Sequence, residues 1–198
     1  MDNNYISAET AGTLDGLFRE RVRLSPQLTA YKHYDRAQEA WRDTSWYEMG
    51  QMVSRWQAAL KKENLNEGDR VGIWLSNSRE WVAFEQAALG LGLVVVPFYV
   101  DDRPDNIAYI ANDAGVKVIL LESVRQMQGL EPLLDQLEGV KRFVILQSKS
   151  EQLTVEDERI VLAENWLPEN GEGLHDRGGD PHQLATIVYT SGTTGRPK

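Results

Sequence analysis

The sequence contains no cysteine. That absence removes thiol nucleophiles, thiolate metal sites and disulfide staples together. Histidine is scarce: His33, His175 and His182 lie far apart and lack the close spacing of a metal-binding cluster, so they read as ordinary surface or core residues. An excess of positive charge is missing too. With a formal net charge of −9 the chain has no general attraction for nucleic acid or an anionic membrane face, and no basic amphipathic helix suited to lie on a bilayer. Any polyanionic ligand must be held by local chemistry.

Long hydrophobic runs are also lacking. The most apolar stretch, residues 81–99, is interrupted by Glu85, Gln86, Gly90, Gly92 and Pro97, and reads as a buried helix followed by a buried strand rather than a membrane span. The opening MDNNYISAET has neither the basic start nor the apolar run of a signal peptide, so a cytoplasmic location is expected, with peripheral membrane contact left open. No internal repeat is present. At 198 residues, 41% of them hydrophobic, the chain can nevertheless bury a substantial core.

The pattern along the chain divides it into four parts. Residues 1–65 hold early helices and a hairpin. Leu14, Leu17, Phe18, Val22 and Leu24 recur at helical spacing; residues 28–34 and 39–42 read as paired strands; Ser45 and Glu48 form a capping box for a helix whose Trp46, Met49, Val53, Trp56 and Leu60 share one face. Those tryptophans are expected to pack in a core, not to stack on a ligand. Residues 66–146 alternate strand and helix: extended at 71–75, 94–98, 117–121 and 143–146, helical at 80–91, 105–114 and 124–137, the last loosened by Gly129 and Pro132. Such alternation predicts an α/β fold, a mostly parallel sheet flanked by helices. Residues 147–183 turn polar, a surface excursion with one short strand near 160–162. Residues 184–189 are expected to form a buried strand that runs into the loop 190–198.

That loop reads TSGTTGRPK. Ligands of open α/β sheets sit beyond the carboxyl ends of strands, where this loop begins. Gly192 and Gly195 allow backbone N–H groups to approach a ligand closely, Thr190, Ser191, Thr193 and Thr194 add hydroxyl donors, and Lys198 adds a point charge. Together they suit terminal phosphate oxygens. A solvated Ser/Thr/Gly turn is the bland alternative. The Walker pattern GxxxxGK[ST] fails, because Pro197 stands where its second glycine belongs, and no kinase-like GxGxxG occurs. Asp101 and Asp102, ahead of Arg103-Pro104, read as a solvated turn, and residues 176–180 lack the full calcium-loop pattern.

The whole string TSGTTGRPK resembles the phosphate-binding signature of the adenylate-forming superfamily, which includes acyl-CoA synthetases, firefly-type luciferases and the adenylation domains of peptide synthetases. NSREWVAFEQAALGLGLVVVPFY and NIAYIANDAGVKVILLES are similar to that family's early strand and helix units, and LATIVYTSGTTGRPK is most similar to bacterial long-chain fatty acyl-CoA synthetases. The resemblance implies part of the large N-terminal domain of such an enzyme. It also implies a reaction in two steps: a fatty acid carboxylate attacks ATP, with Mg²⁺, to give an acyl-adenylate, and coenzyme A then displaces AMP. Thr190, Ser191, Gly192, Thr193, Thr194, Gly195 and Lys198 would grip the nucleotide phosphates. Fatty acid and nucleotide are the implied ligands, with no nucleic acid partner. The adenine and ribose contacts, an acidic magnesium ligand and a mobile domain with the catalytic lysine would lie beyond Lys198, so no catalytic or metal residue is assigned here and the fragment alone is expected to be inactive. Activation of another carboxylate, such as an amino acid, and a non-catalytic nucleotide-binding module are the rival readings.

Overall fold

Alternating apolar residues in the strands face two different cores, and that alternation organises the molecule. A computed structural model describes residues 5–35, 38–147 and 153–190. After a short helix α1 (Ala8–Ala11) come α2 (Leu14–Leu24) and an antiparallel hairpin of β1 (Thr29–Asp35) and β2 (Ala40–Ser45). Helix α3 (Trp46–Lys61) follows at once, and the expected capping box is present: Ser45 Oγ accepts from the Glu48 N–H at 3.2 Å, and Glu48 Oε2 accepts from the Ser45 N–H at 2.7 Å. Met49, Val53, Trp56 and Leu60 form its buried stripe.

The alternating region then delivers β3 (Arg70–Trp74), α4 (Arg79–Gly90), β4 (Val94–Pro97), α5 (Pro104–Ala114), β5 (Val116–Ser123), α6 (Val124–Leu130) and β6 (Arg142–Gln147). With β7 (Ile160–Leu162) they form a five-stranded sheet ordered β4-β3-β5-β6-β7, every pairing parallel. Val71, Ile73, Val118, Leu120 and Val144 point into the core under α2, α3 and α4. Trp74, Ile119, Leu121, Phe143 and Ile145 point into a second core under α5 and α6. The chain is thus a mostly parallel sheet with helices on both faces, as its strand and helix rhythm predicts.

Three local outcomes differ from the sequence reading. The helix expected over 124–137 stops at Leu130 and continues as a 3₁₀ turn, Glu131–Gln136, because Pro132 has no N–H for an α-helical bond. The polar excursion carries a short helix, α7 (Ala163–Trp166), and is tied back to α3: the Trp166 ring packs tilted against Trp56 with centroids 5.8 Å apart, Arg55 Nε donates to the Pro168 carbonyl at 2.8 Å, and the His175 N–H donates to the buried Gln57 side chain at 2.9 Å. Residues 184–189 do not form the buried strand expected of them. They lie extended along β4 with a single parallel bridge between Val95 and Thr186, and Leu184 and Val188 remain 57% exposed. Val95 donates to the Ala185 carbonyl and accepts from the Ile187 N–H, both at 2.9 Å. The next ladder donor on β4 would be residue 97, a proline, so the pairing stops there.

Candidate functional site

Two places at the carboxyl edge of the sheet could hold a ligand. Strand order reverses between β3 and β5, since the chain moves from β3 to β4 on one side and then crosses to β5 on the other. Beyond that point, a crevice of about 740 Å³ opens between the hairpin and the β3–α4 loop, lined by Tyr31, His33, Asn77, Arg79 and Glu122 among others. Its polar groups bond one another. Glu122 accepts from the Ser76 N–H at 2.9 Å and from Ser76 Oγ at 2.7 Å, so a carboxylate of the chain itself sits where an anion would bind. Ser78, the N-cap of α4, accepts from the Trp81 N–H at 3.1 Å. Lys32 pairs with Asp43 at 2.9 Å, and Arg79 with Glu80 at 3.0 Å. The crevice is therefore electrostatically balanced from within.

The second place is the end of the extended segment beside β4, where the loop 190–198 departs. Thr190 is exposed at this root. Ser191, Gly192, Thr193, Thr194, Gly195 and Lys198 lie outside the described residues, so the convergence expected of them is carried forward as a proposal. The root itself is well defined. Thr186 Oγ1 donates to the Val95 carbonyl at 2.9 Å, Ile187 packs against the core under α5, and Tyr189 is buried in that core with 8% of its surface exposed. Tyr189 occupies the packed position that the sequence suggests for the last residue before the loop. Its hydroxyl donates to Asp113 Oδ2 at 2.5 Å, at the end of α5. Burial, and after it the hydrogen bond and charge of Asp113, push the phenol up to about 12. It stays protonated at any physiological pH and remains a donor.

Neighbouring turns are built to hold this edge still. Trp74 Nε1 donates to the carbonyls of Tyr99 and Val100 at 3.1 and 3.2 Å, pinning the chain just after β4. Asp102 Oδ1 accepts from the Arg103 N–H at 3.0 Å and from the Asn106 side chain at 2.5 Å, which makes Asp102 a turn residue ahead of α5. Asp176 and Asp180 each accept a backbone N–H two residues on, from Gly178 at 3.0 Å and His182 at 2.8 Å, which is loop chemistry. No cluster of three or more His, Asp or Glu side chains fit for a metal occurs among the described residues. No helix among them is long and apolar enough to cross a membrane.

Sequence reasoning missed the Tyr189–Asp113 and Ser76–Glu122 pairs. Their partners are 76 and 46 residues apart in the chain, and no local pattern announces them.

Comparison with known proteins adds to this geometry. The family model described as AMP-binding enzyme matches residues 18–198. The chain is 30% identical over 162 residues to "Long chain acyl-CoA synthetase 7, peroxisomal" of Arabidopsis thaliana, covering 78% of this chain and 23% of that protein. It is 34% identical over 135 residues to "Long-chain-fatty-acid–CoA ligase 1" of Cavia porcellus, covering 65% of this chain and 19% of that one. The chain thus spans about a fifth to a quarter of the length of these relatives. In fold it is similar to a crystal structure of the anthranilate CoA ligase AuaEII in complex with anthranoyl-AMP, with a TM-score of 0.81 at 18% identity, covering 98% of this chain and 35% of that one.

Proposed function

This chain belongs to the AMP-binding enzyme family, and from that premise we propose that it is the N-terminal part of a long-chain fatty acid–CoA ligase. The intact enzyme joins a fatty acid to ATP, releasing pyrophosphate and leaving an acyl-adenylate; the thiol of coenzyme A then displaces AMP to form the thioester. The observation that carries this reading is the sequence TSGTTGRPK, leaving the carboxyl edge of a parallel sheet from a buried, hydrogen-bonded root. The long-chain assignment is supported by the names of the relatives that match at about 30% identity.

In the first step negative charge builds on the departing pyrophosphate. Donors already aimed at the β and γ phosphates stabilise that charge without reorganising, and so lower the barrier as well as bind substrate. Thr190, Ser191, Thr193 and Thr194 supply hydroxyls for this, Gly192 and Gly195 supply close backbone N–H groups, and Lys198 supplies an ammonium. Such local donors are how a chain of net charge −9 holds a polyanion. Magnesium, when bound with the nucleotide, neutralises phosphate charge; its protein ligand is expected outside this chain. The 198 residues alone neither adenylate a carboxylate nor form a thioester.

The test is carboxylate-dependent exchange of pyrophosphate into ATP by the intact protein, with acids from acetate to stearate and with amino acids. Exchange that is strongest with long-chain acids is expected. Preference for an amino acid would overturn the substrate, and no exchange with any acid would overturn the ligase reading.

A further inference from the structure

We infer that the face formed by α2, the hairpin and α4 is a docking surface for the continuation of this chain past Lys198, which seats there and borders the carboxyl edge of the sheet. This inference rests on the reading of the chain as the N-terminal part of a longer ligase, and it concerns residues outside the phosphate loop.

Helix α2 carries more apolar surface than it buries. Phe18 packs inward, whereas Leu14, Leu17 and Leu24 are 59, 43 and 49% exposed. On a helical wheel these three leucines fall within an arc of about 80°, a stripe along one side of the helix. Leu14 and Leu17 border a groove of about 380 Å³ that Phe18, Trp46, Val82 and Leu89 also line. Tyr31 and Val82 line both this groove and the crevice of about 740 Å³ beside the hairpin, so one surface runs from α2 to the carboxyl edge of the sheet. At the crevice end Trp41 is 69% exposed, and its ring meets Tyr34 edge-on with centroids 5.7 Å apart. These two residues stand on a two-stranded hairpin, an arrangement that is marginal without further elements packed on it. The opposite side of the sheet differs: among the described large apolar side chains of residues 104–147, Tyr109 alone is exposed. Concentration on one face marks an interaction surface rather than the scattered apolar residues of any protein exterior.

Chemistry and length point to the occupant. Arg21 and Glu85, one of each sign, are the two charged residues bordering the groove, so the element that fills it is apolar and close to neutral. A bilayer surface is disfavoured by the net charge of −9. The chain spans only about a fifth to a quarter of the length of its relatives, so most of such an enzyme has still to pack against this part. The described residues end at Thr190, beyond the carboxyl end of β4. That point is two strand spacings, about 10 Å, from β3, whose following loop lines the crevice. The continuation therefore sets out within short reach of the surface assigned to it.

Hydroxyl-radical oxidation tests this without any substitution, read by peptide mass spectrometry at Leu17 and Trp41 in the 198-residue chain and in the intact protein. Oxidation follows accessible surface, and the centre of an interface is nearly free of solvent, so both residues should be oxidised at least about fivefold more slowly in the intact protein. The slowing should be the same after a twentyfold dilution, on the order of the range that separates a chain from a weak dimer. Trp56, 2% exposed in the chain itself, should be slow in both forms. If Trp56 is fast in the 198-residue chain, a tryptic digest replaces that chain as the reference, at the same threshold. A smaller change at either Leu17 or Trp41 overturns the inference. Slowing that disappears on dilution overturns it in favour of a second copy, and slowing that appears only with phosphatidylglycerol vesicles overturns it in favour of a membrane. If the intact protein exchanges no pyrophosphate at all, the proposed function falls, and the oxidation pattern still decides the docking.

Discussion

Replacing Gly72 with alanine tests the packing that supports this edge from beneath. Gly72 lies in β3, the strand paired on both sides, and an added Cβ would stand 2.4 Å from Phe98 Cε2, 2.9 Å from Phe98 Cζ and 3.4 Å from Val116 Cγ1. Ordinary carbon contacts are about 3.5–4.0 Å, so the ring must retreat by roughly 1 Å. It has little room: Phe98 is 5% exposed, and its N–H is held by the Ile73 carbonyl at 2.9 Å. Overpacking a core costs about 1–3 kcal/mol, and a ring forced off its rotamer adds about 0.5–1.5. We expect Gly72→Ala to lose about 2–3 kcal/mol. For a domain of this size that lowers Tm by roughly 5–10 °C. Urea titration should show a lower midpoint with the same slope, since the folded surface is unchanged. Phe98→Ala alone should cost about 3–5 kcal/mol through its cavity, and the double variant should cost at least about 1 kcal/mol less than the sum, because the new methyl enters the vacated space. Strict additivity, or a Gly72→Ala loss below about 0.5 kcal/mol, would refute the reasoning.

Other predictions probe the rest of the scaffold. Glu63 is 8% exposed at its side chain and joins Arg142 at 2.9 Å and the Trp166 indole at 2.7 Å, so Glu63→Ala leaves the indole N–H without this partner and the half-buried guanidinium without its counter-charge, keeping its bond to the Glu158 carbonyl at 3.1 Å. It should cost about 3 kcal/mol in a denaturant titration, and a loss under about 1 would show that the excursion is held elsewhere. Ser45→Ala removes the capping box of α3 and should cost about 1 kcal/mol, with Ser45→Gly losing less. Burial beside an apolar groove formed by Leu17, Phe18 and Trp46 raises the Glu85 carboxyl above its ordinary 4.5. The folded state thus favours its protonated form: the stabilising contribution is complete below about 4.5 and is lost as pH rises through the higher folded value. Glu85→Gln should therefore raise Tm at pH 7, with the gain vanishing near pH 4. An equal gain at both values would mean that charge is not the cause.

The fold was readable wherever period and chemistry agreed. Val71, Ile73, Val118 and Leu120 can be assigned to strands because short β-branched runs are bounded by turns, and Ser45 with Glu48 announces the start of α3 ahead of its first buried residue, Met49. Residues 184–189 misled because LATIVY has the composition of a central strand, whereas its burial depends on neighbours that composition does not name. Pro97 held the missing signal, but it lies on the strand opposite. Of the site, the loop was recognisable because its function resides in consecutive residues. The Tyr189 and Asp113 pair was not, since a contact between a loop root and a distant helix leaves no periodic trace.

The loop 190–198 is proposed to grip the phosphate tail of ATP, and substitution of its hydroxyls tests that role most directly. Thr193→Ala combined with Thr194→Ala in the intact enzyme, assayed by pyrophosphate exchange, should raise KM for MgATP at least about tenfold and lower kcat, as loss of donors to a developing charge requires. KM for the fatty acid should not move. Wild-type kinetics toward MgATP in that double variant would contradict the account.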